Sequence, residues 1–142
     1  MREVKTYIDV AAPPQRVWDV LTDFAAYPEW NPFFIAVDGR AQPGETLALH
    51  TKFSRRFGPR VSTVTVRTVD PPCRLRWGGG LAIPRLADGE HGFDLDVTDG
   101  GTRVRHYGRF SGLLIPVAGR LISALEQRCH ELNSALRTRV EG

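Results

Sequence analysis

The sequence predicts an α+β fold in which a curved antiparallel sheet of about seven strands wraps around one long C-terminal helix. Three features predict it. From residue 33 to 111 the apolar positions recur every second residue, and turn formers interrupt them at short intervals. From about Pro116 to Val140 the spacing changes to threes and fours, which places Ala118, Leu121, Leu125, Cys129, Leu132 and Leu136 on one stripe. No linker, internal repeat or low-complexity tract divides the chain. Residues 1–142 therefore read as one domain, long enough to bury a core.

Residues 3–10 alternate, with Val4, Thr6, Ile8 and Val10 on one face of a half-buried strand. Ala11 to Pro14 end it, and Pro13-Pro14 open a helix where proline is tolerated. Val17, Val20, Leu21 and Phe24 form the inner face of that helix with Trp18 beside it, and a second helical turn runs from Ala25 to Trp30. Strands are expected at 34–40, 45–53, 60–70, 74–79, 89–98 and 102–111. They are separated by Gly39 through Gly44, Gly58-Pro59, Asp70-Pro71-Pro72, Gly78 to Pro84 and Asp99-Gly100-Gly101. Consecutive strands on such short loops form an antiparallel meander. The closing helix would be about 40 Å long at roughly 1.5 Å per residue, and its stripe has one place to go, the concave face of the sheet.

Composition excludes several classes. The net charge is only +3, and of 19 basic residues all but Lys5 and Lys52 are arginines. They scatter, apart from Arg55, Arg56 and Arg60, so no nucleic-acid footprint forms. The N-terminus lacks the apolar region of a secretory signal, and no apolar run approaches the ~18 residues of a membrane span. Two cysteines without C-x-x-C spacing, Cys73 and Cys129, predict free thiols in a cytoplasmic protein. No nucleophile elbow or phosphate loop occurs, and no cofactor motif is present.

The words of the sequence carry a resemblance. Ala11-Ala12-Pro13-Pro14-Gln15-Arg16-Val17-Trp18, then Asp23-Phe24 and Tyr27-Pro28-Glu29-Trp30-Asn31-Pro32, open the chain. Val69-Asp70-Pro71-Pro72 runs into Leu75-Arg76-Trp77, and Gly89, His91 and Phe93 share a strand. Thr102-Arg103 then leads to His106 and Phe110-Ser111-Gly112-Leu113-Leu114. Together they resemble the START-like helix-grip (SRPBCC) superfamily, in particular its polyketide cyclase/dehydrase-like branch. The resemblance implies a cavity between sheet and helix, used for catalysis in some members and carriage in others. Relatives often carry an acidic residue two positions after the equivalent of His106; here that position is Gly108.

Strand parity decides which side chains face the cavity. His91, Phe93, Leu95 and Val97 oppose the charged set Glu90, Asp94 and Asp96; Val104, His106, Gly108 and Phe110 oppose Arg103, Arg105, Tyr107 and Arg109. Asp99-Gly100 favours a two-residue type I′ turn. That turn places Phe93 opposite His106 and His91 opposite Gly108, making the histidines diagonal neighbours on the inner face; the alternative turn, Gly100-Gly101, would set His106 opposite Leu95 and His91 opposite Phe110 and leave no shared site. The pair can hold one polar ligand group or a water, and either ring is a candidate acid–base; as plain core residues they would simply bond to backbone. No partner to orient either ring is evident. A zinc site of His91, His106 and Glu126 has acceptable ligand types but no signature spacing, so no metal is assigned.

Trp30, Phe33, Phe53, Trp77, Phe93 and Phe110, with Leu121, Leu125 and Cys129 from the helix, are the expected cavity lining, the alternative being simple core. The first reading of function is binding of a small apolar, aromatic, lipid-like or polyketide-like molecule by a monomer or weak homodimer without membrane insertion. The alternative is a cyclase or dehydratase using His91 or His106. A role through the outer sheet face is the third.

Overall fold

The computed structural model describes residues 2–53, 58–80, 88–112 and 119–142. The chain order is β1 (Arg2–Val10), α1 (Pro14–Thr22), a 3-10 helix (Phe24–Glu29), β2 (Phe34–Asp38), β3 (Thr46–Thr51), β4 (Arg60–Asp70), β5 (Arg74–Gly80), β6 (Asp88–Thr98), β7 (Gly101–Ser111) and α2 (Gly119–Glu141). The seven strands form one antiparallel sheet in the order β1-β7-β6-β5-β4-β3-β2, so consecutive strands pair and only β1 crosses over to join β7. This is the helix-grip α+β architecture.

Local chemistry accounts for the connections. Pro13 is extended at the N-cap of α1 and Pro14 takes the first turn, where its missing N–H costs nothing. Val17, Trp18 and Leu21 are buried and Val20 only half-buried, so Trp18 belongs to the inner face. After the 3-10 helix, Asn31 Oδ1 accepts hydrogen bonds from the backbone of Phe33 and Phe34, each 2.9 Å, and turns the chain into β2.

The β6–β7 hairpin has the expected register: Thr98 pairs with Gly101, Phe93 with His106 and His91 with Gly108. Its left-handed residue, however, is Gly101 (φ 148°) and not the central pair that a type I′ turn requires. Only glycine fits there, because a Cβ would stand 2.2 Å from the Val10 carbonyl oxygen. The end of β1 thus lies hard against the hairpin, and Thr102 Oγ1 donates to the Ala12 carbonyl at 2.7 Å.

Helix α2 lies against β1, with α1 and β7 as further neighbours. Its buried face is Ile122, Leu125, Cys129, Leu132, Asn133, Leu136 and Val140. Leu121, expected inside, is 42% exposed, and Ile122 is buried in its place. At about 100° per residue, the mean direction of Leu125, Cys129, Leu132, Leu136 and Val140 lies about 40° from Ile122 but about 60° from Leu121. Ala118 and the Arg55-Arg56 pair fall outside the described residues.

Arginines on the convex face are paired: Arg103 with Asp9 (2.8 Å), Arg105 with Asp96 (2.7 Å) and Arg67 with Glu90 (3.0 Å). Among the described residues no helix is long and apolar enough to cross a membrane.

Candidate functional site

Because α2 sits over the β1–β7 end of the sheet, the opposite end must be closed by other side chains. Phe33 and Phe34 enter from the loop that Asn31 caps, Leu49, Thr51 and Val64 from β3 and β4, and Trp77 from β5. With Phe53, Phe110 and Leu125 they line a cleft into which His91 faces. Its water-sized interior is about 40 Å³, and counting the space open to solvent the cleft reaches about 440 Å³. The inner part therefore holds a water or two, and aromatic bulk rather than backbone limits it.

Of the expected lining, Phe33, Phe53, Trp77, His91, Phe110 and Leu125 do meet at this cleft. Trp30 does not. It packs edge-on against Tyr27, with ring centroids 5.2 Å apart, and lines a separate open groove with Ser134, Ala135 and Thr138 of α2. The Asn31 cap separates the directions: the phenylalanines after it turn inward and the tryptophan before it turns to the helix. Phe93 is core, stacked on His106 at 4.4 Å and 1% exposed. Cys129 is buried beside the histidines and not in the cleft wall, and Leu121 is at the surface.

The two histidines meet. Their Nε2 atoms hydrogen-bond to each other, and the ring centroids are 4.6 Å apart. His91 stacks on Trp77 (5.8 Å, 15°) with the edge of Phe34 at 4.9 Å, so aromatic rings hold it on two sides. His106 is held by polar groups. Its Nδ1 lies 2.8 Å from Asn133 Oδ1, Asn133 Nδ2 donates to Thr6 Oγ1 at 2.8 Å, and Thr6 Oγ1 donates to the His106 carbonyl at 2.9 Å. The orienting partner that β-strand parity could not supply is thus Asn133, on the helix.

Burial dominates the electrostatics. It holds the His91 pKa well below the ordinary 6.5, with His106 adding to the effect. It takes His106 down to about 4 against the opposing bonds from Asn133 and the Cys129 backbone. Both rings are neutral at pH 7, and one hydrogen lies between their two Nε2 atoms.

His91, His106 and Cys129 place two ring nitrogens and a thiol sulfur within 4.8 Å of one another, ligand types that suit a transition metal. The set fits one poorly. Both Nε2 atoms already serve each other, and burial pushes the Cys129 thiol up to about 12, with the Glu126 carboxylate adding to the effect and disfavouring thiolate. Glu126, the third ligand considered from sequence, is an exposed residue 4.0 Å from His130 and takes no part.

Comparisons with known proteins agree with this architecture. The crystal structure of protein MLL2253 from Mesorhizobium loti is similar at 24% identity and a TM-score of 0.70, over 95% of this chain and 96% of that one. The ZhuI aromatase/cyclase from Streptomyces sp. R1128 is similar at 19% identity and a TM-score of 0.76, over 99% and 93%. The di-domain aromatase/cyclase BexL of the BE-7585A biosynthetic pathway is similar at 21% identity and 0.78, this chain matching 99% of its own length and 47% of BexL. No curated protein matches the chain in sequence. The family model described as polyketide cyclase/dehydrase and lipid transport matches residues 1–141, and the chain belongs to that family.

Proposed function

We propose that the protein binds a small apolar molecule, aromatic or polyketide-like, in the cleft between β2–β5 and α2, with His91 as its polar contact. The observation that carries this reading is the lining itself. Phe33, Phe34, Phe53, Trp77, Phe110 and Leu125 converge around one neutral imidazole. The family description and the aromatase/cyclase names of two structural neighbours support the ligand class. The narrow interior favours molecules of one or two rings that displace Phe53 or Phe110 on entry. Native mass spectrometry of protein purified from its own host tests the reading: a co-purifying apolar molecule, displaced by an environment-sensitive dye, is the expected result. Absence of dye binding to folded protein would count against it.

A second reading, a cyclase or dehydratase with His91 as acid–base, draws on the His91–His106 hydrogen bond and the orientation of His106 by Asn133. It calls for turnover of a candidate substrate that is lost in His91→Phe while the fold is kept. The vacancy at Gly108 of the carboxylate that relatives often carry weighs toward carriage.

A further inference from the structure

The hydrogen bonds around the histidine pair have a direction, and Thr6 sets it. A threonine hydroxyl has one hydrogen. Thr6 spends it on the His106 carbonyl, its ladder partner, 2.9 Å away. Toward Asn133 the hydroxyl can therefore only accept, which puts the amide nitrogen there and turns Asn133 Oδ1 to His106 Nδ1. An amide oxygen only accepts, so His106 Nδ1 carries hydrogen. The Cys129 backbone bond to the same side chain, which favours its protonated form, agrees.

A neutral imidazole has one N–H. His106 is fully buried and its hydrogen is on Nδ1, so its Nε2 is a lone pair. The hydrogen of the Nε2–Nε2 contact then belongs to His91. His91, by the same count, has a bare Nδ1. Among the described residues nothing donates to that atom. Gly108, across the ladder, sets no side chain against it: a Cβ at 108 would stand in van der Waals contact with that atom, 3.5 Å away. His91 is the ring that faces the cleft.

We infer that the ligand group held in the cleft is a hydrogen-bond donor, a phenolic, enolic or aliphatic hydroxyl, and that His91 Nδ1 accepts it. The inference rests on the binding reading above and narrows it. An ether, ketone, quinone or carboxylate would set its own lone pairs against that of Nδ1 and leave both unpaired. Thr6, Asn133 and His106 are positioning residues: they touch no ligand and fix which His91 nitrogen is empty.

The test uses 1-naphthol and 1-methoxynaphthalene, which share a ring system and differ in the donor. Isothermal titration calorimetry of the full chain is expected to show naphthol binding tighter by about ten- to a hundredfold. The preference should vanish in His91→Phe, while the methyl ether still binds. Equal binding, or preference for the ether, overturns this inference and leaves the binding reading standing; binding of neither removes both. Long-range nitrogen–proton NMR of the unliganded wild-type protein needs no variant to fold. Hydrogen on His106 Nδ1 and on His91 Nε2 is expected, and hydrogen on His91 Nδ1 overturns the inference.

Discussion

Gly108 stands directly across the β6–β7 ladder from His91, and a Cβ at that position would lie 3.5 Å from His91 Nδ1 and 3.0 Å from the ring of Phe110. The missing side chain thus keeps a methyl group off one imidazole nitrogen and leaves room for the Phe110 ring. Gly108→Ala should press on Phe110 and cost about 1 kcal/mol of stability, since overpacking is paid in displaced neighbours. It should also weaken naphthol binding. Urea midpoints and calorimetry check the two effects, and a variant that gains affinity would refute the account.

Acid should destabilise the fold through the histidines. Above the ordinary 6.5 the folded and unfolded chains are both neutral at these rings, and the full stability is present. Below it the unfolded chain takes up protons that the buried rings refuse, so stability falls with pH until the folded His106 protonates near 4. The loss from His106 alone is about 3 kcal/mol, and His91 adds in the same direction. Between pH 6.5 and 5.5, roughly above the carboxylate range, the urea midpoint should drop in the wild type. It should drop less in the double variant His106→Leu/Asn133→Leu, which removes a proton site and its partner together.

Leu125 joins core and cleft, being 2% exposed and part of the lining. Leu125→Asp should abolish folding, because an unpaired charge would be buried among aromatic rings. Leu125→Ala should fold with a loss of about 2–5 kcal/mol and accept bulkier aromatic ligands. Circular dichroism melts and a ligand series distinguish the two outcomes.

The cysteines should react very differently. Cys73 is exposed, while Cys129 is buried with its thiol pushed up to about 12. Iodoacetamide at pH 8 should add one group to the folded chain, at Cys73, and two after denaturation. Intact-mass measurement followed by peptide mapping decides it; labelling of Cys129 in the native state would show that the helix face opens.

Most of the strand plan was legible because turn residues punctuate it, and the meeting of His91 with His106 followed from one dipeptide, Asp99-Gly100, that sets a register. The turn type itself was not legible, because the left-handed residue at Gly101 answers to the end of β1, a contact remote in sequence. Asn133 was hidden for a related reason. It sits one residue past Leu132, where a periodic reading sees a polar flank, and only the lie of α2 against β1 brings it to Thr6 and His106. Its one signal was a short amide directly after an apolar residue of the helix stripe. Leu121 and Trp30 show the limit in the other direction: apolar side chains at suitable spacing whose destination a neighbouring element decides.

The crossover of β1 to β7 also has a consequence for biosynthesis. Strands β3 to β7 can each pair with the strand made just before, but β1 precedes them all and its partner follows 100 residues later, at His106 opposite Thr6. Asn133 follows later still, 127 residues after Thr6. A nascent chain halted between β7 and the middle of α2 would carry a bare strand face and an imidazole pair with no amide to orient it. Such a fragment is a client for chaperones and proteases and not a partial binder, so α2, translated after β1 to β7, is the element that licenses the site.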